Sequence, residues 1–222
     1  MLNKFLSRAR HAWRLYVVRD PLLLTVRKWF RDRGDETLRF DYPLDETSLV
    51  IDVGGYQGDF AAEIHRRYGC DVVIFEPVKA FHTQCLERFA GNPKIKCLNY
   101  GLGIEDANIP ISVAGDASSH KREIGNEHSE SIRIRKADSI FMELGIDAID
   151  LVKINIEGGE YDLLPSLIEA GWIERVRYVQ VQFHNFVPNA VKMRDGIRAQ
   201  LHRTHEEMWN YEFVWESWKA NH

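Results

Sequence analysis

The 222-residue chain is 45% hydrophobic and 11% aromatic, which is enough to bury the core of one α/β domain. Its net charge of -4 is unevenly distributed, because residues 1–33 carry nine Lys and Arg against two Asp, and the remainder of the chain is acidic. An acidic body lacks the basic stripe of a nucleic-acid-binding domain, so we expect no nucleic-acid partner.

Residues 1–47 are predicted to form a basic amphipathic extension followed by a polar lead-in. Apolar side chains are interleaved with the cations of residues 1–33, and Pro21 separates two helical stretches. This pattern is typical of a helix lying on an anionic bilayer, and equally of helices that cover a sheet or a pocket. The sequence has neither a membrane-spanning run nor a signal-peptide pattern, so we expect a cytoplasmic protein, with peripheral membrane contact through residues 1–33 as a hypothesis.

Strands and helices alternate from Ser48 onward, which predicts a doubly wound, mostly parallel sheet with helices on both faces over residues 48–222. The first half has predicted strands at 48–53, 71–76 and 94–99 and predicted helices at 57–68 and 78–90. The second half has a helix at 138–144, strands at 149–156 and 176–183, helices at 160–170 and 191–202, and a terminal strand in FVWESW. Between the halves, residues 101–135 form a polar insertion that is typical of a binding loop or lid.

The stretch SLVIDVGGYQGDF, residues 48–60, joins an apolar strand to a glycine-rich turn. Gly54, Gly55 and Gly58 permit a tight turn into the next helix because they lack a Cβ atom. Glu76 ends the following strand, where a carboxylate is placed to accept hydrogen bonds from a ribose. Together these features predict a nucleotide-like ligand.

The type of nucleotide follows from what replaces the expected glycines. A dinucleotide-binding fingerprint needs glycine at positions 56 and 59, where this chain has Tyr56 and Asp59. Asp52, before the turn, would repel a pyrophosphate and attract the positively charged amino acid end of S-adenosylmethionine. The pattern therefore favours S-adenosylmethionine over NAD, although an NAD(P)-dependent oxidoreductase stays open as an alternative.

A second polar cluster follows a central strand in IDLVKINIEGGEYDLL. Lys153, Asn155, Glu157 and Glu160 lie where open α/β sheets bind ligands. Oxygen donors in this cluster could hold a divalent cation, but the sequence predicts no metal site. Three cysteines without CxxC spacing, Cys70, Cys85 and Cys97, predict reduced thiols.

Three motifs, VIDVGGYQGDF, VVIFEPV and DLVKINIEGGEYDLL, resemble the FkbM family of S-adenosylmethionine-dependent methyltransferases, over about residues 48–183. The resemblance implies a class I methyltransferase topology with a C-terminal antiparallel strand. It also implies the cofactor-binding positions Asp52, Gly54, Gly55, Tyr56, Gly58, Glu76, Pro77, Asn99, Gly101, Leu102, Asp116–Ser119 and Asn155. Two of these depart from the family pattern, since the family commonly has Asn at position 56 and Asp at position 155.

Family members typically methylate hydroxyl groups, often on sugars, so the resemblance implies O-methylation of a surface glycan or a lipid-linked glycan precursor. An attacking hydroxyl needs a base, and His184, at the end of the next strand, is the first candidate because an unperturbed histidine has a pKa near ~6.5. Glu157 is the rival base, and Lys153 is expected to orient Glu157 or to bind the acceptor. A non-catalytic glycan-binding protein with the same fold remains an alternative, raised by Asn155.

Overall fold

The computed structural model describes residues 19–112 and 129–221 of the chain. Ten strands are present there: β1 (Leu49–Val53), β2 (Asp71–Phe75), β3 (Ile95–Leu98), β4 (Gly101–Gly103), β5 (Ala107–Ser112), β6 (Ser129–Lys136), β7 (Ile149–Ile154), β8 (Val176–Val181), β9 (His205–Tyr211) and β10 (Trp215–Ala220). The helices are α1 (Pro21–Arg31), α2 (Asp59–Tyr68), α3 (Lys79–Arg88), α4 (Ala137–Glu143), α5 (Glu160–Glu169) and α6 (Ala190–Leu201), with a 3₁₀ helix at Ile173–Arg175.

Seven of the strands form one central sheet in the order β3-β2-β1-β7-β8-β10-β9. The first five run parallel, whereas β10 is antiparallel to both of its neighbours. The prediction of a mostly parallel sheet with a C-terminal antiparallel strand is confirmed. The terminal strand begins at Trp215 rather than at Phe213, because Phe213 has a φ of 56° in the turn between β9 and β10.

The two faces of this sheet carry separate apolar layers. Side chains of β1, β7 and β8 that point to one face pack with α4, α5 and α6, and include Ile51, Val152 and Val179. The opposite layer contains Phe60 and Ile64 of α2. Alternate residues of the parallel strands therefore lie in different layers, as the period of two requires.

Part of the predicted lead-in belongs to this second layer. Phe40, Tyr42 and Leu44 are buried there against α2. Farther toward the N-terminus, α1 begins at Pro21, with Asp20 as its cap, and buries Trp29 against Trp209, Tyr211 and Trp215. The described part of the extension therefore covers one end of the sheet. No helix in the described ranges is both long and apolar enough to cross a membrane.

The predicted loop at 101–135 contains regular structure in its described part. β5 and β6 pair antiparallel, and β4 pairs parallel with β6, forming a second sheet of three strands. Ile109, Ile111, Ile132 and Ile134 of this small sheet pack with Val78 and Phe81 at the start of α3. The insertion thus forms an apolar wall beside the carboxyl ends of β1 and β2.

Candidate active site

A cavity of about 420 Å³ opens at the carboxyl ends of β1, β2 and β7, where open α/β sheets bind ligands. Its polar half is formed by Gly54, Tyr56, Glu76, Asn155 and Glu157. The apolar half is formed by Phe81 and by the isoleucines of the small sheet, Ile109, Ile111, Ile132 and Ile134. The cavity therefore suits a ligand with one apolar end and one polar end.

The glycine turn after β1 approaches the end of β7 very closely. Gly54 has a φ of 83°, and a Cβ atom added there would lie 2.0 Å from the carbonyl oxygen of Asn155. At Gly55, a Cβ atom would lie 2.1 Å from Cγ2 of Ile74. A side chain at Gly54 would collide with the segment after β7, and one at Gly55 would collide with β2, so the backbone itself forms this wall of the cavity.

Tyr56 and Gly58 complete the turn. Both have left-handed backbone conformations, with φ of 50° at Tyr56 and 79° at Gly58, and such strain in a residue other than glycine is common at functional sites. The Tyr56 ring lies edge-on to Phe81, with ring centroids 4.4 Å apart. Tyr56, which departs from the family pattern, therefore shapes the rim between the polar and apolar halves.

Glu76 lies just after β2 and is only 5% exposed. Its carboxylate accepts hydrogen bonds from the backbone N–H of Tyr56 at 2.7 Å and of Val78 at 2.8 Å. Burial raises the pKa of Glu76 to about 7, although these two hydrogen bonds and the charge of Lys153 oppose the rise. The glycine turn and the end of β2 are thus joined through a carboxylate that faces the cavity and changes charge near neutral pH.

Asp52 and Lys153 lie behind the turn, outside the lining of the cavity. Lys153 Nζ donates to Asp52 Oδ1 at 2.8 Å and to the carbonyl oxygen of Gly54 at 2.7 Å. The two residues are register partners in β1 and β7, which places their side chains side by side on one face of the sheet. The structure therefore pairs Lys153 with Asp52 instead of with Glu157, and neither side chain lines the cavity.

Glu160, the first residue of α5, organises the opposite edge of the cavity. Its fully buried carboxylate accepts hydrogen bonds from the backbone N–H of Gly158 and of His184, each at 2.9 Å. His184 Nδ1 lies 2.9 Å from the same carboxylate, and His184 Nε2 lies 3.6 Å from Glu157 Oε1. Glu160 thus fixes both the His184 ring and the loop that carries Glu157.

The charge of His184 differs from the sequence expectation. Burial by itself lowers the pKa of the imidazole, but hydrogen bonds and charges from Glu157 and Glu160 outweigh burial and raise the pKa to about 9. The ring is therefore an imidazolium at neutral pH and holds no free lone pair for a proton. The expected pKa near ~6.5 was wrong, because the sequence could not show that two glutamates face one ring.

Several other predicted cofactor residues surround the cavity. Pro77, Gly101 and Leu102 line it, and Asn99 supports it by donating to the carbonyl oxygens of Glu76 and Pro77 at 3.1 Å. Asn155 contributes a buried side-chain carbonyl, Oδ1, which has no hydrogen-bond partner among the described residues. The predicted segment Asp116–Ser119 lies outside the described residues.

Two groups of cavity residues were missed from the sequence. Phe81 lies in the predicted helix 78–90, to which no site residue was assigned, and the four isoleucines lie in the predicted polar insertion. The alternation of polar residues and isoleucines over 131–135 could have indicated a strand, since it has a period of two. Within the described ranges, no group of three or more His, Cys, Asp or Glu side chains is arranged to hold a metal ion.

These features fit S-adenosylmethionine. The turn after β1 lines the cavity with backbone at Gly54, Glu76 offers an acceptor for hydroxyl groups, and the unpaired Asn155 Oδ1 offers a buried acceptor for an N–H group. The strand order and this site define a class I S-adenosylmethionine-dependent methyltransferase. The model of the FkbM methyltransferase domain matches residues 52–213, more than half of the chain, and the protein belongs to this family.

Similar proteins support the class at low sequence identity. The AMB antimetabolite synthetase AmbE of Pseudomonas aeruginosa is 26% identical over 73% of this chain, which spans only 10% of the length of AmbE. Methyltransferase sdnD of Sordaria araneosa is 25% identical over 71% of both chains. Sp1610 of Streptococcus pneumoniae, a candidate tRNA (m1A22) methyltransferase solved with S-adenosyl-L-methionine, shares the fold with a TM-score of 0.50 and 13% identity, over 85% of this chain and 72% of its own. The methyltransferase assignment replaces the oxidoreductase alternative.

The raised pKa of Glu76 predicts a pH dependence of cofactor binding. Hydroxyl donors of a ribose favour the ionised carboxylate, so below a pKa of about 7 a proton must leave before the ligand binds. The affinity for S-adenosylhomocysteine, measured by calorimetry, should rise from pH 5.5 to about 7.5 and then level off, approaching about tenfold per pH unit at the acid end.

Glu76→Gln provides the control for this effect. The variant cannot ionise at position 76, so its affinity should be lower and nearly independent of pH over the same range. A flat profile in the unaltered protein, or an equal slope in the variant, would show that Glu76 does not carry the ligand's hydroxyl groups.

Proposed function

We propose that this methyltransferase transfers the methyl group of S-adenosylmethionine to a hydroxyl of a sugar, in a surface glycan or a lipid-linked glycan precursor. The observation that carries the proposal is the Glu157–His184 pair at the edge of the cavity, opposite Glu76. The family resemblance supports a sugar hydroxyl, because family members typically methylate such groups.

The chemistry requires a base at this edge. When bound, the cofactor supplies a methyl group on a positively charged sulfur. An alcohol must lose its proton as its oxygen forms the new bond to carbon, so a side chain within hydrogen-bond reach of the hydroxyl has to accept that proton. Glu157 lines the cavity beside His184 and keeps 23% of its side chain exposed.

The pKa of His184 favours Glu157 over His184 as the base. An imidazolium with a pKa of about 9 cannot accept a proton at neutral pH, but its positive charge, 3.6 Å from Glu157 Oε1, attracts that carboxylate and holds it in one orientation. Glu157 itself has a φ of 52°, and a strained backbone at a cavity wall supports a functional role. We therefore assign Glu157 as the proton acceptor and His184 as its oriented partner, which revises the first choice from sequence.

The acidic body of the chain supports a sugar acceptor over RNA, because an RNA-binding methyltransferase needs a basic surface for the phosphates. The candidate tRNA methyltransferase among the similar structures shares the fold at 13% identity, a level at which the acceptor is not transferable. Lys153 does not contact the acceptor in this mechanism, because its ammonium group donates to Asp52 and to the Gly54 carbonyl oxygen.

Replacing Glu157 with Gln tests the assignment of the base. Glu157→Gln keeps the size of the side chain but removes the proton acceptor, so kcat should fall by roughly 10²–10⁴-fold while the affinity for S-adenosylhomocysteine changes little. The measurement is formation of S-adenosylhomocysteine with a panel of glycosides, lipid-linked sugars and, for comparison, tRNA. Glu174→Gln, an exposed position on the 3₁₀ helix, is the matched control.

The pH profile of the unaltered enzyme separates the two candidate bases. With Glu157 as the base, kcat/KM should decline above about pH 9, as His184 loses its proton and its hold on Glu157. A rate that climbs toward pH 9 would reinstate His184. If tRNA is the only acceptor that is methylated, the sugar proposal is overturned. If the protein binds the cofactor but methylates none of the acceptors, the non-catalytic glycan-binding alternative is favoured.

We also propose that the protein works at the cytoplasmic face of a membrane, which would suit a lipid-linked acceptor. Support comes from α1, where Leu24 is 41% exposed and Phe30 is 67% exposed beside the exposed cations Arg27 and Arg31. Exposed apolar side chains among cations are the combination that binds anionic bilayers. The buried Trp29 on the same helix means that deleting residues 1–33 would also damage the fold, so point substitutions test this proposal better.

Leu24→Ser/Phe30→Ser should reduce partitioning onto anionic phosphatidylglycerol vesicles by about tenfold, because two apolar groups no longer enter the bilayer. Co-sedimentation with the vesicles measures the effect, and Met142→Ser, an equally exposed apolar residue on α4, is the control. Binding of the double variant at the level of the unaltered protein would rule out α1 as a membrane contact.

A further inference from the structure

Lys153 is an ammonium group enclosed in the core directly behind the cofactor turn. It is 4% exposed, its partner Asp52 is 0% exposed, and 101 positions separate them in the sequence. Its Nζ donates to Asp52 Oδ1 at 2.8 Å and to the Gly54 carbonyl oxygen at 2.7 Å, and the Phe60 ring centroid lies 5.8 Å from Nζ. One cation therefore contacts β1, the turn that follows it, and the layer of α2.

The pair belongs to a row of buried polar side chains that crosses the sheet. Asp52, Lys153, Gln180 and Ser217 are successive register neighbours on β1, β7, β8 and β10. Tyr42 of the lead-in closes the far end, where its hydroxyl lies 2.9 Å from Ser217 Oγ and accepts from Gln180 Nε2 at 2.8 Å. Within this row, Lys153 contacts the cavity wall, because it donates to the carbonyl oxygen of Gly54.

Stability alone does not account for an ion pair in this position. Removing two charges from water costs several kcal/mol per ion, and well-packed apolar side chains of the same volume often stabilise a core equally well. What apolar side chains cannot supply is a donor for the Gly54 carbonyl. The geometry of the turn is therefore the property that requires Lys153.

The turn is held on both sides of Gly54. Its N–H donates to the carbonyl oxygen of Phe75 at 2.9 Å, which ties it to β2, and its carbonyl accepts from Lys153, which ties it to β7. The peptide between Gly54 and Gly55 is held at both of its polar atoms, because the Gly54 carbonyl accepts from Lys153 and the Gly55 N–H donates to the carbonyl oxygen of Phe75 at 3.4 Å. Two residues after Gly54, the N–H of Tyr56 donates to the Glu76 carboxylate at 2.7 Å.

We propose that Lys153 is a positioning residue that sets the Gly54–Gly55 peptide for the amino acid end of the cofactor. The proposal rests on the cofactor site under the proposed function, and it replaces the expected role of Lys153 beside Glu157. Because Asp52 and Lys153 neutralise each other, their effect on the ligand is one of geometry: the nucleoside end, which meets Glu76, depends on the pair much less than the amino acid end.

Two ligands that differ only at the amino acid end test this inference. S-adenosylhomocysteine carries the amino acid group, whereas 5′-methylthioadenosine ends in a methyl group on the same sulfur. Asp52→Leu/Lys153→Met removes both charges and the donor to Gly54 but approximates the packed volume. By calorimetry, its affinity for S-adenosylhomocysteine should fall by about tenfold or more, the loss expected for one charge-assisted hydrogen bond, while its affinity for 5′-methylthioadenosine stays within about threefold.

Arg194→Met/Glu216→Gln is the matched control, because this equally buried ion pair, with a 2.7 Å contact, lies on α6 and β10 away from the cavity. It should leave the ratio of the two affinities unchanged even where it lowers thermal stability. If Asp52→Leu/Lys153→Met does not fold by circular dichroism, Asp52→Asn/Lys153→Met, which keeps the shape of Asp52, is measured in the same way.

The outcomes separate the inference from the function on which it rests. A selective loss of S-adenosylhomocysteine supports the positioning role. An equal loss of both ligands, or no loss of either, overturns that role and leaves the cofactor site intact. Failure of the unaltered protein to bind either ligand overturns the cofactor site itself.

Discussion

The site depends on one close approach, that of the turn after β1 to the end of β7. The space between Gly54 and the Asn155 carbonyl excludes even a methyl group, so these two backbone segments meet directly. Lys153 of β7 donates to the Gly54 carbonyl oxygen and so links the same two segments. Glu76, just after β2, accepts from the Tyr56 N–H and so links the turn to β2. This junction also positions two groups that line the cavity. They are the unpaired side-chain oxygen Oδ1 of Asn155 and the side chain of Glu157, which both lie within a few residues of it.

Four acidic side chains around this junction behave differently because their surroundings differ. Asp52 is paired with an ammonium in the core, and Glu160 receives two backbone N–H groups and the imidazole of His184. Glu76 is buried with only backbone donors, so its pKa rises to about 7. Glu157 keeps partial exposure at the cavity edge. Burial and partner thus separate the two carboxylates held inside the protein, Asp52 and Glu160, from the two that line the cavity, Glu76 and Glu157.

Much of the fold and of the candidate site could be predicted from the sequence, and what could not be predicted has a common physical cause. The glycine turn, the acid after β2 and the polar cluster after β7 are local patterns, and each predicted its element and its edge of the sheet. Pairings across strands are not local. The Asp52–Lys153 register, the contact of both His184 nitrogens with glutamates and the packing of Tyr42 against β8 and β10 depend on strand order and register, which the periodicity of single segments does not encode. The small sheet within 101–135 was missed because its polar face dominated the composition of the segment.

The cofactor site is tested most directly by the structure of a complex with S-adenosylhomocysteine. In that complex, the ribose hydroxyls should lie within about 2.6–3.2 Å of the Glu76 carboxylate, the amino acid group should contact the Gly54–Tyr56 turn, and the sulfur should face the edge carrying Glu157 and His184. A ligand whose ribose lies away from Glu76, or whose sulfur faces the isoleucine wall, would contradict this assignment of the cofactor site.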